Sequence, residues 1–153
     1  MAKLARTPQL SQRPPASSPS VRRRMQNTPT RDTPAELAVR SELHKLGMRY
    51  RVDVAPVAGF RRRADIVFRR AKVAVFVDGC FWHCCPIHGS APKANATWWK
   101  AKFERTRARD RDTDQVLRQN GWKCIRIWEH EDPVLAAKKI GRTVRSRVET
   151  NIP

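Results

Sequence analysis

Residues 80–88 hold the densest group of chemically reactive side chains in the chain. They read Cys-Phe-Trp-His-Cys-Cys-Pro-Ile-His, so three cysteines and two histidines fall within nine positions. Thiolate sulfur and imidazole nitrogen are the ligands that zinc prefers in closed tetrahedral sites. Adjacent Cys84 and Cys85 can hardly both ligate one ion, and spacing alone does not choose between them. The segment therefore predicts a zinc site with four ligands drawn from a larger set: Cys80, His83, Cys84, Cys85, His88, Cys124 and His130.

Two large aromatic side chains, Phe81 and Trp82, lie inside this segment. Aromatic residues of this size normally belong to a hydrophobic core, so one interpretation tucks both beneath a small zinc loop. The other leaves them exposed on a metal-stiffened loop, where they could wedge between DNA bases. The residue types leave both interpretations open.

A second set of candidate ligands is built from oxygen and lies at the mouth of a predicted hairpin. Apolar, β-branched runs at Ala64–Phe68 and Val73–Val77 predict two strands joined by a basic turn. Antiparallel pairing would bring the Asp65 carboxylate and the Val77 carbonyl to the same end of the sheet. Mg²⁺ takes hard oxygen ligands of this kind. By itself, however, an Asp at a strand end is more often a turn or cap residue.

Asp110 lies in the middle of a predicted helical stripe that faces the core. The helix is predicted from about Asn95 to Asn120, and the stripe comprises Trp99, Phe103, Thr106, Asp110, Thr113 and Leu117. A carboxylate on such a face needs a partner or a role. The partner could be Arg107 or Arg111, or Asp110 could orient a histidine or a metal-bound water.

His83 also has two candidate roles. It follows the aromatic pair and lies six residues beyond Val77, near the predicted Mg²⁺ ligands. An imidazole there could take a proton from an attacking water. The alternative is that His83 is the fourth zinc ligand.

The helices and strands that position these side chains are predicted from the sequence in the order α-β-β-β-α-β-α. Thr33, Pro34 and Glu36 form the N-cap, first-turn proline and capping-box acid of a helix that ends before Gly47. Its predicted buried positions are Leu37, Leu43 and Leu46. Further strands are predicted at 50–54 and 122–128. A last helix begins at Asp132-Pro133, with its inward side chains predicted to be Val134, Ile140, Val144 and Val148. This order predicts one α/β domain with a mixed central sheet flanked by helices.

The charge of the chain indicates a polyanionic partner. Lys and Arg total 32 against 14 Asp and Glu, giving +18 over 153 residues. Nucleic acid is favoured over an anionic membrane surface because no long apolar segment exists. Four cysteines near histidines, with no secretory signal, predict reduced thiols in a cytoplasmic protein.

The first thirty residues differ in composition from the rest. Residues 1–30 are rich in Pro, Ser, Arg and Gln, which predicts a disordered basic arm ahead of a domain at 31–150. The run Arg22, Arg23 and Arg24 could order on DNA, or it could be a solvated charge run.

Several of these segments together resemble the very-short-patch repair endonucleases, which nick DNA at T:G mismatches. The matches run over about residues 22–132, and Gly-Cys-Phe-Trp-His followed by Arg-Asp and Trp-Glu is highly specific. They comprise Met25, Thr30-Arg31-Asp32-Thr33, Glu36, Ala64-Asp65, Gly79-Cys80-Phe81-Trp82-His83, Cys85-Pro86, Arg109-Asp110, Gly121-Trp122 and Trp128-Glu129.

The resemblance implies a restriction-endonuclease-like core with a structural zinc, and a strand-specific endonuclease acting 5′ of the mismatched T. It implies that Asp65 and the Val77 carbonyl hold Mg²⁺, and that His83 and Asp110 serve the hydrolytic water with support from Glu36. It assigns zinc to Cys80, Cys85, His88 and His130, which frees His83. It implies a wedge of Phe81, Trp82 and Met25, and double-stranded DNA as the partner of a nucleoid-associated monomer. Mismatch-repair proteins are further candidate partners.

Three positions depart from the pattern of that family. Asp78 stands where some members have a second active-site histidine, Thr106 replaces an expected Asn, and Cys84 adds a spare thiol. Two alternatives to a T:G endonuclease stay open: a nuclease of the same fold with another DNA target, and a zinc-stabilised DNA-binding protein without catalysis.

Overall fold

The computed structural model describes residues 12–150, which form a four-stranded sheet with helices on both faces. The elements are α1 (Pro19–Gln26), α2 (Pro34–Lys45), β1 (Arg51–Val54), β2 (Ala64–Phe68), β3 (Val73–Asp78), α3 (Ala96–Gln119), β4 (Lys123–Trp128) and α4 (Pro133–Thr150). From α2 onward this is the predicted element order, so the prediction of one mixed sheet flanked by helices is confirmed.

The sheet has the order β1-β2-β3-β4, with only its last pair parallel. β1 and β2 pair antiparallel, as do β2 and β3, where Ile66 lies opposite Val75. That register puts Asp65 opposite Phe76, as the hairpin prediction required. β3 and β4 run parallel, with Asp78 beside Trp128 at their ends, and α3 forms the crossover between them. The loops that follow both strands therefore leave the sheet at the same edge.

Successive side chains along each strand point to opposite faces of the sheet, and each face has its own hydrophobic cluster. On one face Ile66, Val75 and Ile127 pack with α2 and α4, through buried residues such as Leu43 and Ile140. The other face is smaller, where Val67 and Ala74 pack with Leu117 of α3. By the same alternation, Asp65, Asp78 and position 126 project toward α3. The face with the smaller apolar cluster thus carries the polar side chains.

Three predicted core positions are wrong. Leu37 is 51% exposed, because α2 turns Val39, Leu43 and Glu36 inward instead. Leu46 lies beyond the last helical residue, Lys45, and is exposed. Val134 is also exposed, because it belongs to the first turn of α4, ahead of the buried Ala136 and Ala137.

Within residues 12–30, which are the part of the predicted arm that the structure describes, there is one helix. α1 spans Pro19–Gln26, and Ser18 caps it by accepting from the Val21 N–H at 3.2 Å. None of its residues is buried. Residues 1–11 of the predicted arm lie outside the described residues, and the division at residue 30 stays a prediction.

Candidate active site and metal centre

The loop after β3 is tied to the residues after β4. The Cys80 N–H donates to Glu129 Oε1 at 2.7 Å, and the Glu129 N–H donates to the Asp78 carbonyl at 3.0 Å. Because the two strands are parallel, these bonds extend their pairing past the end of the sheet. They bring His130 next to a loop fifty residues earlier in the chain.

Cys80, Cys85, His88 and His130 form what we call the metal cluster. One potential ligand atom from each lies within 4.8 Å of the others, and the two cysteines are buried while the histidines are exposed. The His130 Nδ1 lies 3.1 Å from Cys80 Sγ and 3.7 Å from Cys85 Sγ. Ligand atoms around one zinc ion are about 3.3–3.8 Å apart, given Zn–S near 2.3 Å and Zn–N near 2.0–2.1 Å. The four side chains therefore fit a tetrahedral metal ion after small adjustments of these distances.

The backbone around Cys85 favours a thiolate. The N–H groups of Ile87 and His88 each donate to Cys85 Sγ at 3.4 Å. Burial opposes ionisation, but these donors bring the pKa of Cys85 below its usual value, whereas burial and Cys85 raise that of Cys80 to about 11. A Cβ at Gly89 would collide with the Cys85 carbonyl, so only glycine closes this turn. None of the four cysteines of the chain forms a disulfide.

His83 contacts a carboxylate and lies outside the metal cluster. Its Nδ1 is 2.6 Å from Asp110 Oδ2 and 3.7 Å from Asp78 Oδ1. Since a carboxylate only accepts, Nδ1 donates in the shorter contact, which leaves Nε2 as the basic ring nitrogen. Burial opposes ionisation of Asp110, yet His83 and Arg126 hold its pKa below the usual value. Asp110 is paired with His83 and not with Arg107 or Arg111.

The predicted hairpin mouth is formed by Asp65 and Val77. Asp65 Oδ2 accepts from the Val77 N–H at 2.7 Å. Burial raises the pKa of Asp65 to about 6, this N–H opposes the rise, and the charges of Glu36 and Asp78 add to it. A carboxyl group surrounded by other carboxyl groups is poorly stabilised without a cation. The surroundings of Asp65 therefore suit a bound divalent metal.

Glu36 is buried, and its carboxylate is occupied by local bonds. It accepts from the Thr33 hydroxyl at 3.0 Å, the Asp32 N–H at 2.8 Å and Arg40 at 3.1 Å. Its own N–H donates to Thr33 Oγ1, which completes the predicted capping box. Its contact with the site is thus electrostatic, through the field that it exerts on Asp65.

Arg126 is a site residue that the sequence analysis missed. From β4 it forks both oxygens of Asp78 at 2.9 and 3.0 Å and reaches Asp114 of α3 at 3.0 Å. The signal in the sequence was an arginine in the middle of a strand that is apolar apart from its first residue, Lys123. Asp78, His83, Asp110 and Arg126 are called the Asp–His cluster below.

Phe81 and Trp82 are partly buried against α3. The Phe81 ring makes edge contacts with Trp82, Trp99 and Phe103, with ring centroids 5.1, 5.2 and 5.4 Å apart. Both aromatics also line a cavity of about 1140 Å³ that is shared with Met25. The structure thus brings Met25 and the aromatic pair to one place, while Arg22, Arg23 and Arg24 are exposed on α1.

Comparison with known proteins shows which class of protein this chain resembles. Residues 17–87 match the family described as DNA mismatch endonuclease Vsr. "Type II nicking enzyme V.NaeI" of Lentzea aerocolonigenes is 47% identical over 112 residues, covering 72% of this chain and 68% of the relative. "Type II nicking enzyme V.XorIIP" of Xanthomonas oryzae pv. oryzae is 39% identical, covering 70% and 77%. "DNA mismatch endonuclease Vsr" of Escherichia coli is 32% identical, covering 65% and 63%.

Such a site, on a mixed sheet of this kind, defines a DNA endonuclease. The chain belongs to the DNA mismatch endonuclease Vsr family. The predicted family, restriction-endonuclease-like fold and enzyme class are thereby confirmed, and the alternative of a DNA-binding protein without catalysis is set aside. No helix among residues 12–150 is long and apolar enough to cross a membrane.

Proposed function

We propose that this endonuclease nicks one DNA strand 5′ of the T in a T:G mismatch. Such mismatches arise by deamination of 5-methylcytosine, and the nick would begin very-short-patch repair. The observation that carries the proposal is the 2.6 Å contact between His83 Nδ1 and Asp110 Oδ2, made beside the acidic mouth of the hairpin. The likeness to the DNA mismatch endonuclease Vsr of Escherichia coli supports a DNA mismatch as the substrate.

His83 is the residue to which we assign proton transfer. Its Nδ1 is hydrogen-bonded to Asp110, so Nε2 is the ring nitrogen that would take a proton from the attacking water. Asp110 fixes the ring in that orientation, as a carboxylate does for a catalytic histidine in other hydrolases. Glu36 acts at longer range, by adding negative charge near Asp65.

We assign Mg²⁺ to Asp65 and the Val77 carbonyl. The buried carboxylate, with its pKa raised to about 6 among other acids, is the kind of group that a cation would stabilise. Mg²⁺, when bound there, would supply charge stabilisation at the scissile phosphate and a more acidic water. We assign Zn²⁺, in a structural role, to the metal cluster because thiolate and imidazole ligands favour that ion.

Recognition falls to the aromatic pair and the basic helix. Phe81, Trp82 and Met25 would enter the duplex beside the mismatch, where unstacking costs less than in paired DNA. Arg22, Arg23 and Arg24 would contact phosphates without regard to sequence. The protein would act as a monomer in the cytoplasm, at the nucleoid, with mismatch-repair proteins as candidate partners.

A second candidate is a nicking endonuclease with another DNA target. The names of several relatives, which are type II nicking enzymes, favour this candidate. Its chemistry would be the same, and only the DNA that reaches the site would differ.

Nicking of three duplexes that differ at one base pair tests the proposal. Duplexes carrying T:G, T:A or C:G are incubated with the zinc-loaded protein and Mg²⁺, and each strand is labelled separately. We expect one nick, in the T strand of the T:G duplex. His83→Ala should lose it, while His44→Ala, an exposed histidine of α2, should retain it. Equal cutting of all three duplexes would favour the second candidate, and an active His83→Ala would overturn the assignment of His83.

A further inference from the structure

We propose that Arg126 is a positioning residue, which holds Asp78 away from His83 so that the imidazole pairs with Asp110. The inference rests on the proposed role of His83. It concerns which of two carboxylates orients the ring, and it gives Arg126 a function.

Two carboxylates compete for one ring nitrogen. His83 Nδ1 lies 2.6 Å from Asp110 Oδ2 and 3.7 Å from Asp78 Oδ1. Asp78 is buried at the end of β3, and burial raises its pKa while Arg126 lowers it. A rotation of the imidazole toward Asp78 would turn Nε2 away from its present direction. The pairing with Asp110 therefore needs something that keeps Asp78 engaged.

Arg126 engages Asp78 completely. One guanidinium nitrogen, Nη1, donates to both carboxylate oxygens of Asp78, at 2.9 and 3.0 Å. By contrast, Nη2 lies 3.6 Å from Asp110 Oδ1 and leaves Asp110 Oδ2 to His83. The arginine thus divides the two acids, because it binds one firmly and the other weakly.

The guanidinium is itself held in place on its other sides. Nε and Nη2 donate to Asp114 Oδ1 at 3.1 and 3.0 Å, and the guanidinium carbon lies 4.7 Å above the Phe76 ring. Burial would lower the pKa of Arg126, but the three carboxylates raise it, so the positive charge is permanent. A planar fork with five donors can meet these contacts together, which a lysine ammonium cannot.

The competition between carboxylates predicts an unusual rescue. Arg126→Met frees Asp78 to draw His83 away, so the rate constant for nicking should fall about 10–100-fold, as misplacement of a catalytic group does. Binding to the T:G duplex should stay within about threefold, since the carboxylates enclose Arg126. Removing the competitor as well should restore much of the rate: Asp78→Ala/Arg126→Met should nick at least about fivefold faster than Arg126→Met alone.

Single-turnover nicking and binding are measured for these variants in the zinc-loaded protein, together with Arg126→Lys and His83→Ala. Arg126→Lys keeps the positive charge but loses the planar set of donors, so its rate constant for nicking should lie between those of the parent and Arg126→Met. Arg147→Met is the matched control. Its guanidinium also bridges two segments, by donating to the carbonyls of Ala71 and Gly121, and its removal should leave the rate unchanged.

A readout without DNA separates positioning from stability. In NMR spectra, the His83 Nδ1–H proton, identified by its disappearance in His83→Ala, should show the downfield shift of a bond to a carboxylate. Arg126→Met should change that shift, and the double variant should restore it. A double variant that melts normally but nicks no faster than Arg126→Met would overturn the inference. An active His83→Ala would instead overturn the proposed function, so the two failures are distinguishable.

Discussion

The metal cluster and the Asp–His cluster share one loop but hold their side chains in different ways. In the metal cluster, four ligand atoms converge on one point, and each would be fully used by a single ion. In the Asp–His cluster each contact has a direction: Arg126 donates to Asp78, His83 Nδ1 donates to Asp110, and His83 Nε2 is the ring nitrogen left to react. A closed arrangement suits stability, and an open one suits reaction. Changes in the first should therefore act on folding and changes in the second on rate.

The largest effect is expected from changes in the metal cluster. Cys85→Ser and His130→Ala should each lose zinc and much of the fold, because structural zinc contributes about 10–16 kcal/mol of apparent binding free energy in small domains. Cys84→Ser is the matched control, one residue away and outside the cluster, and should keep both. Metal content by mass spectrometry and thermal melting measure the outcome. A zinc-loaded Cys85→Ser protein would show that this cluster is not the metal site.

The next effect falls on rate alone. Asp65→Asn should reduce nicking at least about a thousandfold, which corresponds to about 4 kcal/mol in the barrier, because it removes the proposed Mg²⁺ ligand. Affinity for T:G DNA and the melting temperature should change little. Asp112→Asn, an exposed acid paired with Arg62, is the control and should keep its activity. Full activity of Asp65→Asn at ordinary Mg²⁺ concentrations would remove Asp65 from the site.

Replacing the aromatic pair should affect both the stability of the fold and the recognition of DNA. Both rings pack on α3 and are partly buried, which lies between the two interpretations that the residue types left open. Phe81→Ala/Trp82→Ala should cost about 2–3 kcal/mol of unfolding free energy, less than a fully buried aromatic pair. Preference for T:G over C:G DNA should also fall, since stacking is worth about 1–3 kcal/mol per base.

Trp122→Ala is the control for this double variant. Trp122 is partly buried in the cluster around Leu117, so its replacement should lower the melting temperature without changing the preference between duplexes. Melting curves and parallel binding titrations decide the matter. Unchanged preference in the aromatic double variant would make Phe81 and Trp82 purely structural.

The smallest effect is expected on α1. Replacing Arg22, Arg23 and Arg24 by Gln should weaken DNA binding and make its salt dependence shallower, by about 0.9 in the log–log slope for each phosphate that the variant no longer neutralises. Replacing Arg69, Arg70 and Lys72 by Gln removes the same charge from the hairpin turn, at the opposite end of the strands from Asp65. An equal change of slope in both triple variants would mean that α1 has no special contact with DNA.

Local patterns in the sequence predicted the elements well and the contacts between them less well. The helical stripe around Asp110 and the pairing of Asp65 with the Val77 segment follow from periodicity and register, which are local. Arg126 was missed because its partners come from β3 and α3, and no spacing in the sequence relates those positions. Leu46 and Val134 were misplaced because burial depends on where a helix ends relative to the sheet.

The crossover helix α3 has a consequence for engineering this molecule. It carries Trp99 and Phe103, against which Phe81 packs, and it also carries Asp110, which orients His83. Phe103 and Asp110 are separated by about 10 Å along the helix axis, at about 1.5 Å per residue. The helix would therefore act as a ruler, because it sets the distance between the proposed base-opening and cutting groups. Loop exchanges could retarget such an enzyme, but the offset between lesion and nick would change only if the ruler were lengthened or shortened.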